Sequence, residues 1–154
     1  MMQAGTYYVG DLCYVTTDEE WLEICELTIV NNECLEGEFT LKDGRRFAMY
    51  GTKFGDGTYQ DSERLYEFSV DSGTIGCILD SDIDHEKVRE KYKDQDGNYN
   101  YNPEKFGAII TFMLDFVTGG GRDDENWEGC IQFGRVLIET SPEWNDDYEE
   151  EYED

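Results

Sequence analysis

Few side chains of this sequence could serve as a nucleophile, a general base or a soft metal ligand. His85 is the only histidine among the 154 residues, and it stands in a charged segment. A hydrolase built on this chain would have to pair it with a cysteine, with Cys13 as the candidate nucleophile and carboxylates as helpers. No nucleophile motif surrounds His85, so the sequence favours a solvated surface histidine.

The cysteines indicate a structural role rather than reactivity. Five are scattered along the chain without a C-x-x-C pair: Cys13, Cys25, Cys34, Cys77 and Cys130. This pattern predicts reduced, mostly buried thiols and a cytoplasmic location, and with a single histidine it argues against a zinc site. A low-pKa thiolate needs positive charge nearby, which this chain largely lacks, so we expect Cys13 to be a small core residue in a strand.

The polar segment 94–100 has the oxygen-rich composition of a calcium loop but not its spacing. An EF-hand needs oxygen ligands at alternate positions before its glycine and a glutamate six residues after it. Tyr92 occupies one of the ligand positions, and Pro103 lies six residues after Gly97, with Glu104 one position late. We predict a polar turn with no cofactor and no dedicated metal site; weak calcium or magnesium binding is the open alternative.

The glycine-rich segment 55–59, Gly-Asp-Gly-Thr-Tyr, is the most distinctive local cluster. It lacks the lysine and the strand-to-helix context of a phosphate-binding loop. Glycines that supply positive φ, and an aspartate that bonds its own backbone, are typical of a tight turn. The alternative is the wall of a pocket for a nucleotide or a metal ion, with the nearby bases Arg45, Arg46 and Lys53.

The net charge separates this sequence from that of an ordinary domain. The sequence has 37 acidic and 12 basic residues, which gives a formal net charge of −25 and an isoelectric point near 4.1. The last twelve residues hold eight acids and no base, and removing them still leaves −17 on the other 142 residues. Direct binding to nucleic acid or to anionic lipid needs patches of Lys and Arg and is therefore not expected.

An anionic surface of this size suits a partner that normally binds nucleic acid. Duplex DNA carries one charge for about every 1.7 Å of its axis, so −25 matches the phosphates of roughly twelve base pairs. Such a surface can occupy a basic groove, and electrostatic steering speeds the association. The alternative is that the acids only keep the protein soluble, or suit it to high salt.

The segments around these clusters predict short strands joined by glycine turns. Asp43-Gly44 lies between two alternating segments and is a strong hairpin signal. A Gly10-Asp11 turn separates the first two predicted strands. Strand patterns cover residues 6–9, 12–15, 38–41, 46–50, 66–70, 75–79, 130–133 and 135–140.

One segment predicts a helix, and another predicts a buried strand. Thr17 and Glu20 have the spacing of a capping box at the start of a helix over about 17–30. Its apolar face would consist of Trp21, Leu22, Cys25 and Ile29. The charged segment 84–93 could form a second, short helix. The longest apolar run, 106–117, predicts a central strand that is covered on both sides.

Together these elements predict an α+β, mainly β fold: a twisted antiparallel sheet, a small barrel or a sandwich with one or two helices. We expect one acidic domain over residues 1–141 and a flexible acidic tail over 142–154. The N-terminus lacks the basic and apolar regions of a secretory signal peptide. No run approaches the roughly 20 apolar residues that a membrane span needs.

Three clusters occur in a fixed order in the first half of the chain: 5–14 (GTYYVGDLCY), 55–59 (GDGTY) and 70–76 (VDSGTIG). They resemble a set of small uncharacterised proteins of bacteriophages and bacteria, which have a G-D-P-C-Y opening, a G-D-G-x-Y loop and a V-D-x-G-x-I-G turn. Leu12 stands where that set usually has proline. The resemblance implies a phage or mobile-element origin and favours a counter-defence role, and it transfers no activity or catalytic residue.

The sequence thus favours a non-enzymatic acidic binding protein, a phage-type inhibitor that occupies the basic nucleic-acid site of a host defence enzyme as a DNA mimic. The expected partner is a host protein in the host cytoplasm, and neither nucleic acid nor a membrane. The alternatives are a protein that sequesters a nucleotide or a metal ion, and a small hydrolase. The predicted partner-binding residues are Asp18, Glu19, Asp56, Tyr59, Asp61, Asp123, Asp124, Glu125, Asp146 and Asp147.

Overall fold

The computed structural model describes residues 1–121 and 129–140. The α-helices of this part are α1 (Asp18–Thr28) and α2 (His85–Arg89). Its strands are β1 (Gly5–Gly10), β2 (Ile29–Val30), β3 (Glu33–Cys34), β4 (Gly37–Thr40), β5 (Arg46–Gly51), β6 (Gly57–Asp61), β7 (Glu67–Val70), β8 (Thr74–Leu79), β9 (Ala108–Phe112), β10 (Thr118–Gly120), β11 (Cys130–Phe133) and β12 (Val136–Glu139). Short 3-10 helices cover Leu12–Tyr14, Asp80–Asp82, Glu90–Tyr92 and Pro103–Lys105.

Ten of these strands form two five-stranded antiparallel sheets. The first sheet has the order β4-β5-β8-β1-β9, and the second has the order β10-β11-β12-β6-β7. Strands β2 and β3 form a separate hairpin. The mainly β, antiparallel fold with two helices is confirmed, and of the three predicted sheet arrangements the described residues form no closed barrel.

The two sheets face each other across an aromatic core. From the first sheet, Tyr7 packs edge-on against Phe112 at 5.8 Å between ring centroids. From the facing sheets, Tyr50 and Phe133 meet at 6.1 Å between centroids, and the Tyr50 hydroxyl lies 2.7 Å from Thr118 Oγ1. Aromatic side chains bury a large area each, so a few of them fill the space between two short-stranded sheets.

A second core covers the outer face of the first sheet. Ile24 of α1 and Val88 of α2 are fully buried there against Tyr8, Phe47 and Ile78. The first sheet is therefore covered by the second sheet on one face and by the helices on the other. This explains why the consecutive β1 residues Tyr7, Tyr8 and Val9 are all buried, since side chains on both faces of the strand enter a core.

Helix α1 begins at the predicted capping box. Thr17 Oγ1 accepts a hydrogen bond from the Glu20 N–H at 3.2 Å, and Glu20 Oε1 accepts one from the Thr17 N–H at 2.8 Å. The helix ends at Thr28, because the chain turns into the β2–β3 hairpin. Asn31 and Asn32 make that turn with φ of 54° and 66°. Asparagine tolerates this region better than most residues.

The predicted apolar face of α1 is wrong in part. The residues of the helix that are buried are Ile24 and Thr28. Leu22 is 60% exposed and Ile29 is 50% exposed, whereas the face predicted from spacing put both against the sheet. The error arises because the helix is short and its neighbours on the sheet, rather than its own periodicity, decide which side packs.

Two predicted strands are also corrected. Residues 12–15 do not form a strand, because the Asp11 side chain accepts a hydrogen bond from the Cys13 N–H at 3.0 Å and caps a 3-10 helix. The run 106–117 does not form a central strand, because β9 ends at Phe112 and pairs only with β1, at the edge of the first sheet. Met113 and Leu114, directly after β9, turn outward and are 83% and 80% exposed.

The predicted hairpin at Asp43-Gly44 and the second helix are confirmed within a few residues. Asp43-Gly44 joins β4 to β5, and Gly44 has φ of 99°, which suits glycine. Gly134 separates β11 from β12. The glycine-rich loop is shorter than predicted, since β6 already begins at Gly57. The charged segment 84–93 contains α2 and one 3-10 helix. The predicted tail, 142–154, lies outside the described residues.

Candidate functional site

Asp11 joins two of the motif clusters inside the fold. Its side chain is fully buried. One carboxylate oxygen accepts hydrogen bonds from the backbone N–H groups of Asp71 at 2.8 Å and Ser72 at 2.7 Å. The other accepts from Ser72 Oγ at 2.9 Å and from the Cys13 N–H. A buried carboxylate is stable when it accepts several such bonds, so Asp11 is a structural anchor for the 71–73 turn.

Thr52 connects the glycine-rich segment to the 71–73 turn. Thr52 Oγ1 donates to the Gly55 carbonyl at 2.7 Å, and the Thr52 N–H donates to the Gly73 carbonyl at 2.9 Å. The Tyr59 hydroxyl donates to the Gly55 carbonyl at 2.9 Å. The three motif clusters are thus neighbours in space. The contacts among them are hydrogen bonds that fix the chain at Gly55 and Gly73. The tight-turn interpretation of segment 55–59 is wrong for its second half, because strand β6 begins at Gly57.

Cys13 lies in this region in a position that suppresses its reactivity. Burial raises the pKa of the Cys13 thiol well above its usual range, and the charge of Asp11 together with its hydrogen bond adds to the effect. The thiolate is the nucleophilic form, so a raised pKa makes this thiol inert. The expectation of an unreactive Cys13 agrees with this direction, although the residue lies in a 3-10 helix and is half-buried.

His85 is bonded on both ring nitrogens. Nε2 lies 2.9 Å from Asp80 Oδ1, and Nδ1 lies 2.7 Å from the Tyr101 hydroxyl. Burial raises the pKa of that tyrosine well above its usual range. His85 was predicted to be a solvated surface residue; it is half-buried and held between two partners. Neither of these contacts is a cysteine, so the Cys13–His85 pair that a hydrolase would need is not formed by hydrogen bonding.

The segment 94–100 closes on itself. Asp94 Oδ1 accepts hydrogen bonds from the N–H groups of Asp96 and Asn98, each at 2.9 Å, and Oδ2 accepts from the Asn100 amide at 3.3 Å. The backbone hydrogen bond from Asn98 is the largest cause that lowers the pKa of Asp94. The polar turn is as predicted. Over residues 1–121 and 129–140, no group of three or more His, Cys, Asp or Glu side chains is arranged to hold a metal ion.

Arg45 and Arg46, which are near the glycine-rich segment in sequence, form ion pairs with other parts of the fold. Arg45 forms ion pairs with Glu20 at 2.5 Å and with Asp43 at 2.8 Å. Arg46 pairs with Glu38 at 2.8 Å. Their charges are engaged in holding α1 and β4 in place, and they do not form an anion site with segment 55–59.

The predicted partner-binding residues fall into three groups. Asp18, Glu19 and Asp56 are exposed. Tyr59 and Asp61 are only 3% and 4% exposed, and the Asp61 carboxylate accepts a hydrogen bond from the Tyr66 N–H at 2.8 Å. Contact with a partner requires exposure, so these two are corrected to structural residues of β6. The others lie outside the described residues: Asp123, Asp124, Glu125, Asp146 and Asp147.

The exposed side of α1 and the adjoining hairpin forms a continuous surface, which we call the helix–hairpin face. Its acids are exposed: Asp18 and Glu19 are adjacent in α1, Glu26 lies about two helical turns further along, and Glu33 lies on the hairpin. Apolar side chains are exposed between and beside them: Leu22, Ile29, Val30 and Leu35. An acidic surface that also presents apolar side chains has the composition of a binding surface rather than of a purely solvating one.

A cavity of about 190 Å³ opens beside the helix–hairpin face, between α1, the hairpin, the C-terminal end of β5 and the start of β8. Trp21 and Tyr50 supply aromatic walls, Leu35 and Met49 supply aliphatic ones, and Glu36 supplies a carboxylate. Sequence reasoning missed this site. Its walls come from four separate segments, and no local pattern at any of them marks a pocket.

Comparison with known proteins found no relative of this chain. No family model, no curated protein and no solved structure matches this chain. The resemblance carried by the three motif clusters therefore stays a prediction. None of the helices in the part of the chain that the structure describes is long and apolar enough to cross a membrane.

Proposed function

We propose that this protein is a non-enzymatic, acidic inhibitor that occupies the basic nucleic-acid-binding site of another protein, as a mimic of DNA. The partner is a host defence enzyme, such as a restriction or CRISPR nuclease, and the protein is phage-encoded and acts in the host cytoplasm. The observation that carries this proposal is the helix–hairpin face, where exposed acids and exposed apolar side chains share one surface.

The amount and placement of the charge support the proposal. Residues 122–128 carry a net charge of −3 and residues 141–154 carry −8, so the described residues keep −14 of the total of −25. More than half of the negative charge therefore belongs to the residues that the structure describes. A fixed anionic surface can present its charges to a basic groove without the entropy cost of ordering a disordered segment.

The exposed apolar side chains favour binding over mere solubility. Acids that serve only solubility are best spread over a surface without apolar patches. Here Leu22 lies between the acids of α1, and Ile29 and Val30 follow at its end. Charges steer the encounter, and apolar contacts at the centre of an interface supply much of its affinity.

The competing functions have less support from the described contacts. A hydrolase would need an activated nucleophile, whereas burial holds Cys13 in its thiol form and His85 is bonded to other partners. A pocket at segment 55–59 would need free polar groups, whereas the Gly55 carbonyl accepts two intramolecular hydrogen bonds. We therefore carry neither forward.

Charge removal on the helix–hairpin face tests the proposal against a matched control. The test variant is Asp18→Asn, Glu19→Gln, Glu26→Gln, and the control removes three exposed acids elsewhere with Glu63→Gln, Glu67→Gln, Glu104→Gln. Purified restriction and CRISPR nucleases are bound to a labelled DNA duplex, and each protein is titrated in while fluorescence anisotropy reports the DNA that is released.

The wild-type protein is expected to displace DNA from at least one nuclease. The test variant should need about tenfold or more protein for the same displacement, which corresponds to about 1.4 kcal/mol. The control should need less than about threefold more. Equal losses in both variants would mean that only total charge matters, and failure to displace DNA from any of the nucleases would overturn the proposal.

A further inference from the structure

The cavity beside the helix–hairpin face has the size of a site for one aromatic ring. Its volume is about 190 Å³, whereas pockets that hold drug-sized ligands are roughly 300–1,000 Å³. An engineered apolar cavity of about 150 Å³ in another protein binds benzene, so a phenyl group has room here and a nucleotide does not. Ile29 and Leu35 line the cavity and are also exposed, so the side chain of a docked partner can enter beside them.

The hydroxyl groups that line the cavity are already bonded within the protein. Thr28 Oγ1 donates a hydrogen bond inside α1 at 2.8 Å. Ser72 Oγ lies 2.6 Å from Thr74 Oγ1, and the Tyr50 hydroxyl lies 2.7 Å from Thr118 Oγ1. A polar ligand would lose its hydrogen bonds to water and gain few in return, so these walls favour an apolar group.

The carboxylate that lines the cavity is engaged by the backbone. Glu36 Oε2 accepts a hydrogen bond from the Gly51 N–H at 2.5 Å. The same carboxylate lies directly against Gly121, where an added Cβ would meet Glu36 Oε1 at 2.6 Å. Glu36 is therefore a structural part of the wall, and we do not expect it to act as the counter-ion of an entering cation. The hydrophobic effect is then the main force that can hold a ligand in this cavity.

We propose that this cavity binds the phenyl ring of a phenylalanine that the partner presents between lysine or arginine side chains. The rings of Trp21 and Tyr50 suit edge-on packing against a phenyl group, and Met49 adapts its shape to it. The flanking bases complement Glu26 and Glu33, exposed acids of the helix–hairpin face. This inference rests on the proposed function and deepens it: the acids attract the partner, and one buried ring anchors the complex.

The first test needs no nuclease. The 15N-labelled full-length protein is titrated with three capped tripeptides: Lys-Phe-Lys, Lys-Ala-Lys and Glu-Phe-Glu. The first is expected to shift the resonances of Gly51 and the Trp21 indole with saturation at millimolar concentration, and each of the others to bind at least about tenfold more weakly. Equal affinity of the phenylalanine and alanine peptides, equal affinity of the basic and acidic ones, or shifts confined to other parts of the surface would overturn the inference.

Two variants change the cavity and leave the charge of the surface as it is. Cys25→Phe fills the cavity, and Leu35→Ala removes part of its exposed wall. They are expected to weaken binding of the basic phenylalanine peptide by about tenfold and about threefold or more, respectively. Leu114→Ala is the matched control, because it truncates an exposed leucine in another part of the surface, and should change affinity by less than about twofold. Thermal unfolding checks that each variant is folded, and unchanged affinity in a folded cavity variant would contradict the site.

The same variants distinguish failure of the inference from failure of the proposed function. In the DNA-displacement assay, both cavity variants are expected to weaken inhibition of a responsive nuclease by about threefold or more relative to the Leu114→Ala control. If the wild-type protein displaces DNA and both folded cavity variants do so equally well, the phenyl site is wrong and the proposed function stands. If the basic phenylalanine peptide binds as expected but no nuclease releases DNA, the site stands and the proposed function is wrong.

Discussion

Asp11 connects two segments that are 60 residues apart in the chain. Its carboxylate accepts four hydrogen bonds, three of them from backbone N–H groups that are partly buried. Leaving a buried donor without an acceptor costs free energy, and the cost adds up when several donors share one acceptor. Asp11 is therefore the residue whose loss should affect the fold most directly.

We predict that Asp11→Ala lowers the free energy of unfolding by about 3–5 kcal/mol, because it removes the shared acceptor of four partly buried donors. Asp11→Asn keeps one acceptor oxygen and should cost less. Asp71→Asn is the matched control, since that side chain is exposed and should change stability by less than about 0.5 kcal/mol. Urea unfolding followed by fluorescence measures all three, and equal stability of Asp11→Ala and the control would contradict the anchoring role.

The cysteines should differ in their reactivity according to burial. Burial raises the pKa of the Cys13 and Cys77 thiols well above the usual range, whereas Cys34 is exposed on the hairpin. We expect iodoacetamide at about pH 8 to label Cys34 at least about tenfold faster than the other two. Peptide mass spectrometry gives the rates, and similar rates in concentrated urea provide the control. Faster labelling of Cys13 would show an activated thiol.

At the scale of elements, α1 is the support of the proposed binding surface. Its capping box satisfies two backbone N–H groups at the helix start. We predict that Thr17→Ala destabilises the protein by about 1 kcal/mol, whereas Thr17→Ser, which keeps the hydroxyl, costs less than half as much. Thermal unfolding measures both. If Thr17→Ala leaves the stability unchanged, the tertiary contacts of Ile24 hold the helix without its cap.

The features of the fold that depend on neighbouring residues could be predicted from the sequence. The capping box joins residues three apart, and the Asp43-Gly44 turn joins two adjacent strands, so each leaves a local pattern. The 3-10 helix after Asp11 was missed, because apolar residues in that segment suit a strand equally well. Its cap comes from a side chain that also holds a distant turn.

The features that depend on tertiary partners could not be predicted. The run 106–117 is as apolar as a buried strand, yet β9 lies at a sheet edge because only β1 pairs with it. The cavity brings Trp21, Glu36 and Tyr50 together from three distant segments of the chain. The acids of α1 could be predicted as candidate contacts, whereas the burial of Tyr59 and Asp61 followed from the position of β6 between β12 and β7.

At the scale of the whole molecule, a three-layer fold holds a strongly acidic surface. The first sheet is buried on both faces, which allows apolar packing to offset the repulsion among the acids. Several phenol groups take part in that packing. Burial is the main cause that raises the pKa of Tyr7, Tyr14 and Tyr92 to about 12.

We therefore predict that the protein loses stability in alkali before these tyrosines ionise in the folded state. A tyrosine in the unfolded chain ionises near about pH 10. The stabilisation of the folded state that comes from its raised pKa is therefore complete below that pH and is lost as the pH rises toward 12. The urea midpoint should fall between about pH 10 and 12, together with the appearance of phenolate absorbance. A constant midpoint over this range would contradict the burial of these phenols.

The central claim is that the acidic surface and DNA compete for one basic site. The most direct measurement is the affinity of this protein for a nuclease that it inhibits, with and without a saturating DNA duplex, between about 50 and 200 mM salt. We predict mutually exclusive binding and a loss of at least about tenfold in affinity over that range. A complex that contains both the protein and DNA, or an affinity that does not change with salt, would contradict the claim.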